Sequence, residues 1–204
     1  MPFEPDGLIY RDSVTGQEVL DVQTARPETL MRILLEKVLP DFDWDGDDVR
    51  DTPKRFVKML RELTDASEHW QFTTFKTDAH ELVVVKNIRF VSLCSHHLAP
   101  FTGICHVGYV PDGLIAGLSK IARQVQTAAK TPAVQEELTT DLADTFNDIL
   151  NPQGIIVVMK AFHSCMSLRG ALAHETETVT SAVRGVFVDN KRHVKEEFFK
   201  LLGL

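Results

Sequence analysis

The chain predicts an α+β fold in which an antiparallel four-stranded sheet lies under helices. Three observations carry that expectation. Apolar, β-branched runs fall at residues 82–93, 101–110, 154–162 and 176–188, as strands require. Helix-periodic stretches lie before, between and after them. The order from residue 82 is strand, strand, helix, helix, strand, strand, helix, which suits a sheet covered on one face by helices.

Residues 1–25 read as a lead-in, with Pro, Asp, Gly and Thr but no sustained periodicity. A helix is expected from Pro27, because proline suits the first helical position and Glu28 follows in the first turn. Leu30, Ile33, Leu34 and Val38 would form its apolar face, and Pro40-Asp41 would end it. The acidic stretch 41–51 contains Asp45-Gly46-Asp47-Asp48 but lacks the closing glutamate of a calcium loop. A second helix is expected with Thr52 as N-cap and Pro53 at N1. Phe56, Met59, Leu60 and Leu63 would be its buried stripe, with Arg55 and Lys58 together on another face.

In the strand at 101–110, period-2 alternation puts Phe101, Cys105, Val107 and Tyr109 on one side. Cys105 therefore reads as a small core residue. The helix at 119–129 has an inner stripe of Ile121, Val125 and Ala128. The helix at 132–150 has Val134, Leu138, Leu142, Phe146 and Ile149. An amphipathic helix at 194–202 closes the chain. Residues 1–50 are expected to form an N-terminal extension and helix, and 51–204 a single catalytic unit. An open sheet with two edges and a bare face calls for partners, which oligomerisation would supply.

The chain has 204 residues, 44% apolar and 25% charged, the composition of an ordinary globular protein. No apolar run approaches the roughly 20 residues of a membrane span, and the N-terminus lacks signal-peptide features. Three cysteines are too few for a disulfide framework, so reduced thiols and a cytoplasmic location are expected. A net charge of −7 excludes a general nucleic-acid binder. It leaves room for one anionic small molecule in a local basic pocket.

Two clusters carry metal-binding chemistry, Cys94-Ser95-His96-His97 and His163-Ser164-Cys165. Cys94, His97 and Cys165 make a set of two thiolates and one imidazole. Zinc held by three protein ligands keeps its fourth position for water, the catalytic arrangement. His96 and His163 lie beside the ligands and could move protons. Either could instead be a fourth ligand, which would close the site and make it structural.

Gly117-Leu118-Ser119-Lys120-Ile121-Ala122-Arg123 opens a helix with a hydroxyl and two cations three apart. A helix N-terminus binds anions readily, although the same pattern also describes a solvated basic face. Arg169, Arg55 and Lys58 could add further cations. Gln135-Glu136-Glu137 lies early in the next helix. The acids there either stabilise the first turn or accept two N–H bonds from a guanidine-like base edge.

Together these motifs resemble GTP cyclohydrolase I. The resemblance rests on Ser92-Leu93-Cys94-Ser95-His96-His97, Gly108-Tyr109-Val110-Pro111 through Gly117–Arg123, Val134-Gln135-Glu136-Glu137-Leu138 and His163-Ser164-Cys165-Met166 to Arg169-Gly170, with Asp51-Thr52-Pro53-Lys54-Arg55 as a helix start. It runs from about Pro27 to Leu202. It implies a tunnelling fold (T-fold) assembled into a homodecamer, with active sites at subunit boundaries. It implies hydrolysis of GTP to formate and 7,8-dihydroneopterin triphosphate, an early step of tetrahydrofolate and pterin synthesis. Cys94, His97 and Cys165 would hold zinc. His163 would be the main acid/base, His96 would assist, and Ser119 would serve with them. Ser119, Lys120, Arg123 and Arg169, with Arg55 and Lys58 from another subunit, would hold ribose and triphosphate. Gln135 and Glu136 would read the guanine edge.

One position departs from the family pattern. Ser95 stands where glutamate is usual, which removes a carboxylate beside the site. Two other readings use the same residues. One is a related zinc amidohydrolase acting on another purine nucleotide; the other is a catalytically silent, zinc-stapled oligomeric binding protein. A zinc nucleobase deaminase is disfavoured, because His-x-Glu and Pro-Cys-x-x-Cys are absent.

Overall fold

The computed structural model describes residues 9–11, 18–189 and 193–203. They divide into two compact units, Met1–Glu62 and Leu63–Leu204. The first unit holds β1 (Ile9–Arg11) and β2 (Glu18–Leu20), paired antiparallel, then α1 (Pro27–Val38) and most of α2 (Thr52–Thr64). The β1–β2 pair falls in the expected lead-in. Strands of three residues are too short to show periodicity. The boundary that the sequence predicts, at residues 50/51, lies just before α2, and the compact units meet at 62/63. Within the first unit Arg61 on α2 pairs with Glu28 on α1 at 3.3 Å.

The helix faces of this unit differ from expectation. α1 buries Thr29 and Arg32, while Leu34 and Val38 are 53% and 63% exposed. Arg32 tolerates burial because its guanidinium bonds Glu36, Asp45 and the Trp44 carbonyl, which compensates the lost hydration. α2 buries Pro53 and Val57 and leaves Phe56 and Met59 exposed. The apolar stripes are real, but within the unit Leu34, Val38, Phe56 and Met59 stay exposed among the described residues.

The second unit contains β3 (Thr74–Lys76), β4 (Val83–Leu93), β5 (Pro100–Val110), β6 (Leu114–Ala116), α3 (Leu118–Ala128), α4 (Gln135–Leu150), β7 (Gly154–His163), α5 (Ser164–Ser167), β8 (Glu177–Gly185), α6 (Val186–Asp189) and α7 (Val194–Leu202). Four strands form an antiparallel sheet in the order β4-β5-β7-β8. The α+β arrangement expected of the tunnelling fold, with N-terminal helices ahead of it, is present. β3 and β6 pair separately. The expected strand at 176–188 breaks at Gly185, whose φ of 58° turns the chain into α6.

Alternation places the core as read. Phe101, Cys105, Val107 and Tyr109 are buried on one sheet face with Ile121, Val125, Leu138, Leu142 and Phe146 from α3 and α4. Burial pushes the Cys105 thiol far above its ordinary value, as suits a core residue rather than a ligand. On the opposite face Val110, Ile156 and Val158 pack with Phe187, Val194 and Phe198.

Gly103 lets β5 and β7 lie close. A Cβ there would overlap the Lys160 carbonyl oxygen and lie 2.8 Å from Ala161 Cα. These are main-chain atoms of a central strand and cannot rotate away. Gly103→Val is therefore expected to cost about 3 kcal/mol, at the upper end for overpacking, read as a lowered midpoint of unfolding.

Candidate active site

The site forms where β4, β5 and the C-terminal end of β7 come together. After β4 the chain makes a tight turn: the Leu98 N–H donates to the Cys94 carbonyl at 2.7 Å and the Cys94 N–H to the Ala99 carbonyl at 2.9 Å. Leu98 sits at φ 50°, a conformation that costs a non-glycine residue energy and recurs at functional sites. β7 ends at His163 and passes into α5, which carries Cys165. β5 lies between the two strands that lead to Cys94 and Cys165. The turn after β4 and the short helix after β7 lift the ligands over the start of β5.

Cys94 Sγ, one His97 ring nitrogen and Cys165 Sγ all lie within 4.8 Å of one another. Small side-chain rotations would bring them to the metal–ligand bonds of about 2.0–2.3 Å that zinc makes. The donor set of two thiols and an imidazole suits zinc. Burial and the adjacent Cys94 thiol push the Cys165 thiol up, while Arg169 draws it down. A cation between the sulfurs would hold both as thiolates.

The start of α4 is tied to this turn. The Ser95 N–H donates to the Ala133 carbonyl and the Ala133 N–H to the Leu93 carbonyl. Gln135 and Glu136 thus join Cys94, His96, His97, His163, Cys165 and Met166 around a cavity of about 250 Å³. A second cavity of about 330 Å³ shares His97 and Cys165 and is lined also by Leu168 and Arg169. His163 stacks on Phe101, with ring centroids 4.5 Å apart and planes 6° apart. Its Nε2 lies 2.8 Å from Gln135 Oε1. Burial holds the His163 pKa below its ordinary value, and Glu136 opposes that shift. His96 Nδ1 lies 3.8 Å from Cys94 Sγ.

The GTP cyclohydrolase I family profile matches residues 28–203. The chain belongs to that family. Its members are hydrolases acting on cyclic amidines. A GTP cyclohydrolase 1 of Bacillus subtilis is 44% identical over 176 residues, which cover 83% of this chain and 91% of that protein. One of Lysinibacillus sphaericus is 42% identical, covering 84% and 92%. One of Streptomyces avermitilis is 46% identical, covering 80% and 84%. Among solved structures, an archaeosine synthase QueF-like protein in the apo form aligns with a TM-score of 0.43 at 22% identity, over 51% of this chain and 93% of that one.

The fold brings together Cys94, His96, His97, Gln135, Glu136, His163, Cys165 and, in the adjoining cavity, Arg169. Ser119, Lys120 and Arg123 line neither of these two cavities. Arg123 pairs with Glu68 at 3.1 Å, and Lys120 lies over the Trp70 ring at 5.9 Å. Arg55 and Lys58 lie on the first unit's α2 (Arg55 donates to the Asp48 carbonyl, and Lys58 pairs with Glu62). Sequence reasoning did not single out Thr139, Thr180 or a site role for Phe101. A faint signal existed for Thr139, four residues after Gln135 and so on the same helix face. No helix among the described residues is long and apolar enough to cross a membrane.

Proposed function

We propose that the protein is a zinc-dependent GTP cyclohydrolase I, hydrolysing GTP at guanine C8 to formate and 7,8-dihydroneopterin triphosphate. One observation carries the reading: the Cys94–His97–Cys165 cluster opens into the same cavity as Glu136 and His163. When bound, zinc supplies Lewis-acid activation of water near neutral pH.

The chain's own residues do the rest. Glu136 accepts N–H bonds from the guanine edge and so sets the purine's orientation. His163 gives a proton to the imidazole ring of guanine, which stays on that nitrogen as the ring opens, and is restored by a proton that the attacking water releases. Phe101 and Gln135 hold that histidine in place. His96 assists ring opening and later proton movements. Arg169, beside the cluster, meets the ribose–triphosphate side. Cations remote from the reacting bond bind and orient the substrate rather than act on that bond.

We further propose that Ser119, Lys120, Arg123, Arg55 and Lys58 serve the site of another copy, in a homodecamer with shared active sites. The exposed apolar faces of α1 and α2 support this, as does the lining of the metal cavities without Ser119, Lys120 or Arg123. Three free thiols suit a cytoplasmic enzyme, whose product would feed folate or pterin synthesis.

The test incubates zinc-loaded protein with GTP and follows formate together with neopterin fluorescence after oxidation and dephosphorylation. Both products are expected. Formate alone would mean ring opening that stops short, with Ser95 the first position to restore to glutamate. Neither product, with zinc bound, would refute the reading and favour another purine nucleotide or a silent binding protein.

A further inference from the structure

The hydrogen-bond partners of Gln135 decide more than its position. Gln135 is 1% exposed, and its Nε2 lies 3.2 Å from the Met159 carbonyl oxygen and 3.1 Å from the Thr178 carbonyl oxygen. Carbonyl oxygens only accept, so the atom facing them is the amide NH2 group. The amide oxygen is thereby turned to His163 Nε2, at 2.8 Å. An amide oxygen also only accepts, so Nε2 must donate. A neutral imidazole has one N–H. In this site it belongs on Nε2, and Nδ1 is left with the lone pair. The other tautomer would set two lone pairs against each other in a half-buried site.

The hydroxyls behind the amide agree with this direction. Thr139 Oγ1 donates to the Gln135 main-chain carbonyl at 2.7 Å. Its 2.6 Å contact with Thr180 Oγ1 must then be a bond that Thr180 donates. Thr180 Oγ1 in turn accepts from Gln135 Nε2 at 3.0 Å. The bonds in the chain Thr180–Thr139–Gln135–His163 thus run in one consistent direction, with the two amide hydrogens shared among three acceptors. Thr139 is 1% exposed and lies outside the cavity lining.

We propose that Gln135, braced by Thr139 and Thr180, is a positioning residue that locks His163 as its Nε2–H tautomer, so that His163 exchanges protons with substrate through Nδ1. The inference rests on reading His163 as the acid/base of the cyclohydrolase site. It leaves the guanine edge to Glu136, because the Gln135 amide is fully engaged within the chain.

Two measurements test it. Zinc-loaded protein labelled with 15N-histidine is sedimented and studied by magic-angle-spinning NMR, with the His163 signals identified by their loss in His163→Ala. In the neutral ring, Nε2 is expected to bear the proton and Nδ1 to be bare; a proton on Nδ1 overturns the proposal. Separately, Thr139→Val keeps the side-chain shape and removes the hydroxyl. It is expected to lower kcat about tenfold, a fraction of the 10²–10⁴ that general acid–base catalysis supplies, with KM for GTP and zinc content unchanged. Thr139→Ser, which restores the hydroxyl, should recover most of that loss. An unchanged kcat in Thr139→Val overturns the brace. If the wild-type chain forms neither formate nor neopterin, the functional reading fails, and the ring-nitrogen shifts still decide the tautomer.

Discussion

Cys165→Ser is expected to lose bound zinc and GTP turnover together. Serine's hydroxyl stays protonated where a thiolate would form, and its oxygen is a harder donor than sulfur. The remaining Cys94 and His97 make only a two-ligand site. Changes to groups that merely orient a ligand already cost about 10–100-fold in metal affinity, so removing a ligand should cost more. Elemental analysis of dialysed protein beside the formate assay reads both losses. Cys165 is half-buried on a short helix at the edge of the core, and serine is close to cysteine in size. Full zinc occupancy in the variant would show that Cys165 is not a ligand.

His163→Ala separates proton transfer from metal binding. Turnover is expected to fall by about 10²–10⁴, the range that a general acid–base group supplies, while zinc content stays at the wild-type level. The variant also loses the Phe101 stack and leaves the Gln135 amide oxygen without its partner, a penalty of about 1–3 kcal/mol. Thermal unfolding should therefore accompany the kinetics, to confirm that the loss of rate occurs in folded protein. If zinc departs with the imidazole, His163 is the fourth ligand of a closed site, and catalysis at that centre is excluded.

Much of the second unit was legible in the sequence because its signals are local. Period-2 alternation marked β5, with Cys105 and Tyr109 on the face that is buried. The 3.6-residue stripe of α4 places Leu138, Leu142 and Phe146 in the core as read. The grouping of Cys94, His97 and Cys165, which could hold a metal ion, was legible from residue chemistry, since thiolates and imidazoles are the usual donors to zinc. Other features depend on contacts that no single segment encodes. The tie between Gln135 and His163 exists only once β7 and β8 are in register, with Met159 opposite Thr180 and Ala161 opposite Thr178. The α2 stripe was read as buried although Phe56 and Met59 are exposed, because periodicity reports a face and not what covers it. The place of β5 between the ligand-bearing strands followed from the order of pairing, which strand count alone does not determine.

The two halves of the metal cluster stand on opposite sides of β5, one before it in the chain and the other well after it. No nascent chain that ends before Cys165 has a complete binding site. During synthesis β4, β5, α3, α4 and β7 must all have left the ribosome before a metal ion can find its third ligand. Capture of an ion by all three residues would thus be a late event, with only β8 and the last helices still to be made. Once captured, an ion would favour the assembled state by mass action, because the unfolded chain holds these residues too far apart to compete. Metal supply in the cell would then govern how long each finished copy survives, as well as whether it works.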